Sequence, residues 1–165
     1  MRLLALTAAH PERSFEATTV GRGERDATVA VARLPPLGGD RDSRGEAAMA
    51  HLTALVDLYD RGMREPLPLY CLSSAAYAEA ALRGRDAVAA GRHAWTSDWN
   101  FDNEDRDLEH QLVLGGVSSF DELLVQAPRP DEHGAGWEPA ESTRLGRYAR
   151  RMWEGLLACE QVTSA

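Results

Sequence analysis

The sequence predicts an α+β chain, rich in helix and carrying one β-hairpin. Three observations point there. Ala48, Leu52, Leu55, Tyr59 and Met63 recur at three- and four-residue steps, with Val56 widening the stripe. That spacing gives one apolar face to a helix of roughly five or six turns starting at Ser43. Residues 14–20 and 27–34 are rich in Thr and Val and flank a polar, glycine-containing connection, the pattern of two antiparallel strands. Near the end, Leu145, Tyr148, Met152 and Leu156 form a second helical stripe, flanked by Ala149 and Trp153.

Arg2 to Ala9 is apolar nearly all round, and over so few residues both a helix and a buried strand fit. As a helix it has no cap, so it reads as continuing a longer element. His10-Pro11-Glu12-Arg13 is a loop. In the second strand Ala27, Val29 and Val31 alternate with Thr28, Ala30 and Ala32. The connection Gly21-Arg22-Gly23-Glu24-Arg25-Asp26 carries two glycines. It lacks the third glycine, the lysine–hydroxyl pair and the following helix that a phosphate loop needs.

Pro35-Pro36 ends the second strand, and Gly38-Gly39-Asp40 leads into the long helix. Ser43 and Glu46 have the spacing of a capping box. The Leu52/Leu55/Tyr59 face is expected to cover the hairpin. Gly62 weakens the last turn. Pro66 and Pro68 then forbid continuation, since proline has no N–H and disfavours helix in the residue before it. Ser73 or Ser74 is expected to restart a helix with Tyr77, Ala81 and Leu82 inward, fraying near Gly84 or Gly91. Trp95 to Arg106 reads as irregular. Leu108 to Leu114 runs into Gly115-Gly116, and Ser118 or Ser119 can cap a short helix with Phe120, Leu123 and Leu124 inward. Pro128 to Gly136 is a loop, and Glu141 to Cys159 is the final helix.

A length of 165 residues suits one domain or part of a larger one, and 44% hydrophobic residues is ordinary for a globular chain. No apolar run approaches the roughly 20 residues that span a membrane. The apolar start is short and lacks a cleavage site, so it is not read as a signal peptide. Cys71 and Cys159 follow no metal spacing and read as reduced thiols of a cytoplasmic protein, Cys71 as a buried packing residue. The net charge is −8, and all 18 basic residues are arginine, which reads as a compositional bias. An acidic balance argues against general affinity for duplex DNA but leaves room for a local basic patch.

The densest chemistry-bearing run is Asp102, Glu104, Asp105, Asp107, Glu109 and His110. Converging oxygens suit a hard cation, and Asp105, Asp107, Glu109 and His110 are the metal-ligating alternative. The run lacks the glycine and terminal glutamate of an EF-hand, and the favoured reading is a solvated loop in which Asp107 caps a short helix. His51 reads as a boundary residue of the long helix. No Gly-x-Ser-x-Gly elbow occurs, and no catalytic residue is assigned. Arg144, Arg147, Arg150 and Arg151 sit on the last helix, where 144, 147 and 151 share a face. That face suits a phosphate backbone or an acidic partner. The blander reading is a solvated face with Glu141 and Glu154 pairing locally. Arg22 and Arg25 add positive charge on the hairpin connection.

The run LVDLYDRGMREPLPLYCLSSAAYAEA (Leu55 to Ala80) resembles the C-terminal region of the exodeoxyribonuclease V gamma subunit, RecC, of actinobacterial type. ATTVGRG (Ala17 to Gly23), EHQLVLGG (Glu109 to Gly116), FDELL (Phe120 to Leu124) and RYARRMWEGLL (Arg147 to Leu157) match in the same order. The resemblance implies the C-terminal part of a PD-(D/E)XK nuclease-like domain, with residues 1–165 a single partial domain. It implies a non-catalytic piece of the RecBCD helicase–nuclease, which processes DNA double-strand ends for repair. The implied partners are RecB, RecD, the rest of RecC and DNA within the complex, with no membrane. Magnesium and ATP would belong to the partner subunits. The acidic and lysine positions of active nucleases of this fold would lie upstream, outside this chain. The rival readings are a small metal-dependent nuclease acting alone, built on Asp102 to His110, and a decayed remnant without activity.

Overall fold

Arg2–Ala9 is a helix, α1, which resolves the choice the sequence left open. The computed structural model describes residues 1–23 and 29–164. The chain continues through β1 (Ala17–Arg22), β2 (Val29–Leu34), α2 (Arg41–Gly62), α3 (Cys71–Leu82) and α4 (Ala87–Trp95). A 3-10 turn at Glu104–Arg106 follows, then α5 (Leu108–Leu114), α6 (Phe120–Leu123), α7 (Arg144–Leu157) and β3 (Gln161–Ser164). The fold is α+β. It divides into two compact units, Met1–Leu58 with Gly155–Ala165, and Tyr59–Glu154. No described helix is long and apolar enough to cross a membrane.

In the first unit, β1 and β2 pair antiparallel, from Ala17↔Leu34 to Arg22↔Val29. The hairpin is therefore present, but β1 begins at Ala17 rather than Ser14 and runs on through Gly21 and Arg22. Ala27, Thr28 and the second half of the connection, Arg25 included, lie outside the described residues. A third strand escaped the sequence reading. β3 pairs with the other edge of β2, from Ala30↔Ser164 to Arg33↔Gln161, and makes β2 central. Four exposed residues offer no hydrophobic alternation to detect, so only the pairing reveals the strand.

The long helix starts at Arg41, two residues before Ser43. The Asp40 carboxylate accepts a hydrogen bond from the Ser43 N–H at 2.8 Å, and Ser43 Oγ accepts one from the Asp40 N–H at 3.1 Å. This reciprocal pair has the form of a capping box, with Ser43 as its third helical residue rather than its cap. Gly38, at φ +66°, makes the turn before it, where a Cβ would lie 2.6 Å from Ser43 Oγ. Arg44 Nε donates to the Pro11 carbonyl at 2.8 Å, fastening the start of α2 to the loop after α1. Ala48 and Leu58 are buried and Leu52 and Leu55 half-buried, whereas Tyr59 and Met63 are exposed. The buried stripe therefore ends on Leu58, and Tyr59, expected to be part of the inward face, stands in water. A phenol tip loses little by staying in water, whereas a leucine gains only by leaving it.

In the second unit, α3 begins at Cys71, two residues before Ser73. Cys71 is exposed, contrary to its apolar context, because a first-turn residue faces wherever the helix start points it. Tyr77, Ala78 and Ala80 are buried, while Leu82 is exposed rather than inward. Gly84, at φ +64°, ends this helix. Gly91 is not a fray point. It lies inside α4, where a Cβ would come 2.5 Å from the Phe120 ring, so a side chain is missing where another helix crosses. Asp86 caps α4 through the Ala89 N–H at 2.9 Å. Ser119 caps α6 in a capping box with Glu122, with Phe120 and Leu123 buried as expected. Asp107 holds the N-cap position of α5 but its side chain makes no capping bond. α7 is shorter than predicted at both ends. Its Leu145, Tyr148 and Ala149 are buried, Met152 and Trp153 half-buried, and Leu156 exposed.

Candidate functional site

Both chemistry-bearing runs of the sequence lie in the second unit. The acidic run is not a solvated loop. Glu104 and Asp105 are buried. One Glu104 oxygen accepts from the Leu72 N–H at 2.8 Å, and the other from the Ser73 N–H at 2.7 Å and Ser73 Oγ at 2.6 Å. A helix start leaves four N–H groups unpaired and carries partial positive charge, and a carboxylate answers both. Glu104 thus caps α3 from 31 residues away. Asp105 accepts from the Ser97 N–H at 3.1 Å and from the Ser97 hydroxyl. That hydroxyl in turn accepts from the Asn103 N–H at 2.7 Å.

His110 packs against the rings of Tyr70 and Trp95, with centroids 5.0 and 5.7 Å away, and its Nδ1 lies 3.0 Å from the Glu104 carbonyl oxygen. Burial, and then the Glu104 charge, pushes the Tyr70 hydroxyl pKa up. Asp102, Asp107 and Glu109 remain exposed. Among the described residues no group of three or more His, Cys, Asp or Glu is placed to hold a metal ion. Asp105, Asp107, Glu109 and His110 therefore do not converge as a set, although the Asp107 carboxylate lies 3.5 Å from His110 Nδ1. The two that turn inward are engaged with Ser97, Tyr70 and Trp95.

The arginine-bearing helix is also turned differently from the solvated-face reading. Arg144 and Arg147 are 3% and 5% exposed. Arg144 Nε donates to Glu132 at 2.7 Å and its terminal nitrogen to Glu65 at 2.7 Å. Glu132 is wholly buried and also accepts from the Tyr148 hydroxyl at 2.8 Å and the Arg129 N–H at 2.9 Å. Arg147 donates to the Glu141 carbonyl at 3.0 Å and to the Glu132 carbonyl. Burial pushes the Glu65 carboxyl up, but bonds and charges from Arg129 and Arg144 outweigh it, so its pKa lies below the usual carboxylate range. Burial works against the Arg144 charge, and Glu132 and Glu65 more than restore it.

Arg150, half-buried, pairs with Glu154 at 2.5 Å and lies 3.4 and 3.5 Å from Glu138 and Glu141, so the local pairing expected of this helix is real at that position. Arg151 stacks over Trp137 at 4.2 Å and donates to the Gly136 carbonyl at 2.8 Å. Gly146 has a purpose of its own, since a Cβ there would meet Glu141, the Tyr77 hydroxyl and Thr143 within 3.0 Å. Tyr77 donates to Glu141 at 2.9 Å, and burial followed by that bond pushes its hydroxyl pKa up to about 12.

Of the hairpin residues, Arg22 is exposed opposite Val29, and Arg25 lies outside the described residues. In the first unit His51 is half-buried, its ring where a Cβ on Gly155 would stand, 2.6 Å from Cε1. Glu65, Glu104 and Glu132 organise these clusters; Glu65 and Glu132 were not singled out in the sequence, and Glu104 only as one member of the acidic run. Apart from the Arg129 N–H beside Glu132, the partners named for them lie 12 to 79 residues away, beyond the reach of any local pattern.

The RecC C-terminal domain family model matches residues 1–82. The RecBCD enzyme subunit RecC of Mycobacterium tuberculosis is 35% identical over 159 residues, covering 96% of this chain. Its Mycolicibacterium smegmatis counterpart is 36% identical over 161 residues, again covering 96% of this chain. The chain spans 13% of the length of each of these relatives. No solved structure matches it significantly.

Proposed function

The chain belongs to the RecC family, and from that premise we propose that it is a non-catalytic C-terminal portion of a RecC subunit. In this reading it supports assembly of a RecBCD-type exodeoxyribonuclease V and guidance of DNA strands in double-strand break repair. The observation that carries it is the alignment to mycobacterial RecC over nearly the whole chain. We assign residues 1–165 to one partial domain of PD-(D/E)XK nuclease-like type, acting in the cytoplasm. RecB, RecD and the rest of RecC are its partners, and magnesium and ATP serve those subunits.

The placement of charge agrees with binding rather than cleavage. Hydrolysis of phosphodiesters in this fold needs carboxylates holding a hard cation and commonly a nearby lysine. The chain has no lysine, and its inward carboxylates, Glu104, Asp105 and Glu132, are occupied by hydrogen-bond donors. Arginine holds phosphates but does not exchange protons near neutral pH. Contacts to DNA or to partners then fall to Arg22, Arg25 and Arg151, whereas Arg144 and Arg147 hold the helix in place and Arg150 is taken up by Glu138, Glu141 and Glu154.

The test has two arms. Tagged chain is expressed with the M. smegmatis RecB, RecD and a RecC lacking the 161-residue segment it matches. Recovery of a stoichiometric complex is expected, and its absence would sink the assembly role. The purified chain is then given linear DNA with Mg²⁺ or Mn²⁺, beside an Asp107→Ala/Glu109→Ala variant. No cleavage is expected. Cleavage that disappears in the variant would promote the stand-alone nuclease.

A further inference from the structure

Helix α5 shows the reverse of ordinary amphipathicity. Its inner face is His110, Gln111 and Leu114. His110 lies against Tyr70 and Trp95, and Gln111 Nε2 donates to the Asp105 carbonyl at 3.3 Å. Its outer face is Leu108, Glu109, Leu112 and Val113, which the four-residue step brings together on one side. Leu108 is 77%, Leu112 85% and Val113 57% exposed. Two-thirds or more of each leucine thus stands in water while the more polar side chains are turned inward. Isolated exposed leucines are common, but a helix whose apolar residues collect on its solvent side loses the burial that normally holds it.

The C-terminal end of the helix is set. Gly115, in the left-handed region at φ +80°, stops it, and its backbone N–H bonds back to the Gln111 carbonyl. The apolar face is therefore presented on a short helix with a defined stop.

The charge around this face says what covers it. Glu109 lies within it, and Asp107 and Asp102 stand exposed just before it. α5 carries no Lys or Arg, its His110 is turned inward, and the nearest arginine in sequence is Arg106, exposed two residues before the helix. A second copy of this chain would bring the same carboxylates against these, in a molecule of net charge −8. A surface with leucine-sized pockets and a basic rim meets both the apolar and the acidic features.

We propose that the Leu108/Leu112/Val113 face of α5 is the chain's docking surface for an apolar groove, rimmed by Lys or Arg, on another polypeptide of the RecBCD-type assembly. This inference rests on the proposed assembly role and names the surface that performs it. Recognition is of the helix-in-groove kind, with Leu108 and Leu112 as anchors one turn apart and Glu109 pairing with the rim.

The same co-expressed M. smegmatis RecB, RecD and shortened RecC serve as the probe, with binding to the full chain measured by biolayer interferometry. Leu112→Ser is expected to weaken binding by about tenfold or more, as truncation of a buried anchor does. Glu109→Arg is expected to weaken it at about 0.1 M salt and much less at about 0.5 M, where charge attraction is screened. Val162→Ser, an exposed apolar position on β3, is the control and is expected to leave binding unchanged. Circular dichroism melts of both α5 variants are expected to match the parent, because neither side chain packs in the fold. Parent that binds together with α5 variants that bind equally well would overturn the docking face and leave the assembly role standing. Parent that fails to bind would overturn the assembly role itself and this inference with it. A parent dimer in sedimentation that Leu112→Ser dissolves would make the occupant a second copy and overturn the basic-rimmed partner.

Discussion

Tyr77 and the Glu132–Arg144 pair set the two ends of the energy scale for single residues. The Tyr77 hydroxyl is buried, bonded to Glu141, and its pKa is raised from 10.0 to about 12. A pKa raised on folding means that the protonated form is preferred in the native state. The resulting stability is fully present below pH 10 and is lost as pH rises through about 12. The difference is on the order of 2–3 kcal/mol. Tyr77→Phe is expected to shrink the alkaline loss of stability between pH 8 and pH 11, read as the change in urea midpoint relative to the parent. An unchanged alkaline slope would show that another group governs it. Glu132 is a stricter case, because it is wholly buried and Arg144 is its charged partner. Arg144→Ala leaves that carboxylate without its counter-charge, and about 3–5 kcal/mol of destabilisation is expected by urea unfolding. Replacing both residues with apolar ones of similar volume is expected to cost less than the single change, since a removed pair leaves no stranded charge.

The helices depend on caps and on close approach. The Glu104 carboxylate takes three donors at the start of α3, so Glu104→Ala removes a cap and a favourable charge at the helix end together. The expected cost is about 1–2 kcal/mol in chemical unfolding, with Glu104→Gln recovering part of it. A variant as stable as the parent would mean that water serves the helix start equally well. Where α4 meets Phe120, the contact works by the absence of a side chain. Gly91→Ala would place a Cβ 2.5 Å from the Phe120 ring. Alanine favours helix over glycine by about 1 kcal/mol, so a neutral site would gain stability. A net loss is expected here instead, because overpacking a core costs about 1–3 kcal/mol. The sign of the change in thermal midpoint decides between them.

Across the whole molecule, several carboxylates sit beside arginine or backbone donors that hold their pKa values down. Burial raises the Glu65 pKa, but Arg129 and Arg144 bring it below its ordinary 4.5, and Asp131 is held down chiefly by its bond from Arg61. Asp40 is held down by the Ser43 N–H. A carboxyl depressed on folding contributes stability that is present above its unfolded pKa and lost as pH falls through the folded one. The thermal midpoint is therefore expected to hold near neutrality and to fall once pH drops below about 4.5, the ordinary Glu value. Glu65→Gln is expected to flatten part of that fall. An acid limb unaltered in Glu65→Gln would assign it to other carboxyls.

Features written within a few residues of each other were legible in the sequence. The three- and four-residue steps placed the long helix and α7, the proline knuckle separated α2 from α3, and the Ser118-Ser119 pair announced a cap that the structure assigns to Ser119. Two Thr- and Val-rich runs around a polar connection announced the hairpin. These signals are local because backbone hydrogen bonds in helices and turns close over three or four residues. What each charge does was decided only by the tertiary structure. Arg144 and Arg147 look, by spacing, like a face open to phosphate, yet Glu132 lies 12 residues from Arg144 and Glu65 lies 79 away. Glu104 looks like part of a solvated acidic loop, yet it caps a helix that begins 33 residues earlier. The outward turn of Leu108 and Leu112 is of the same kind, because a two-turn helix has no inside or outside until its neighbours are placed. Burial and partnership are properties of the assembled surface, and the free energy of a charge depends on those neighbours more than on its place in the chain.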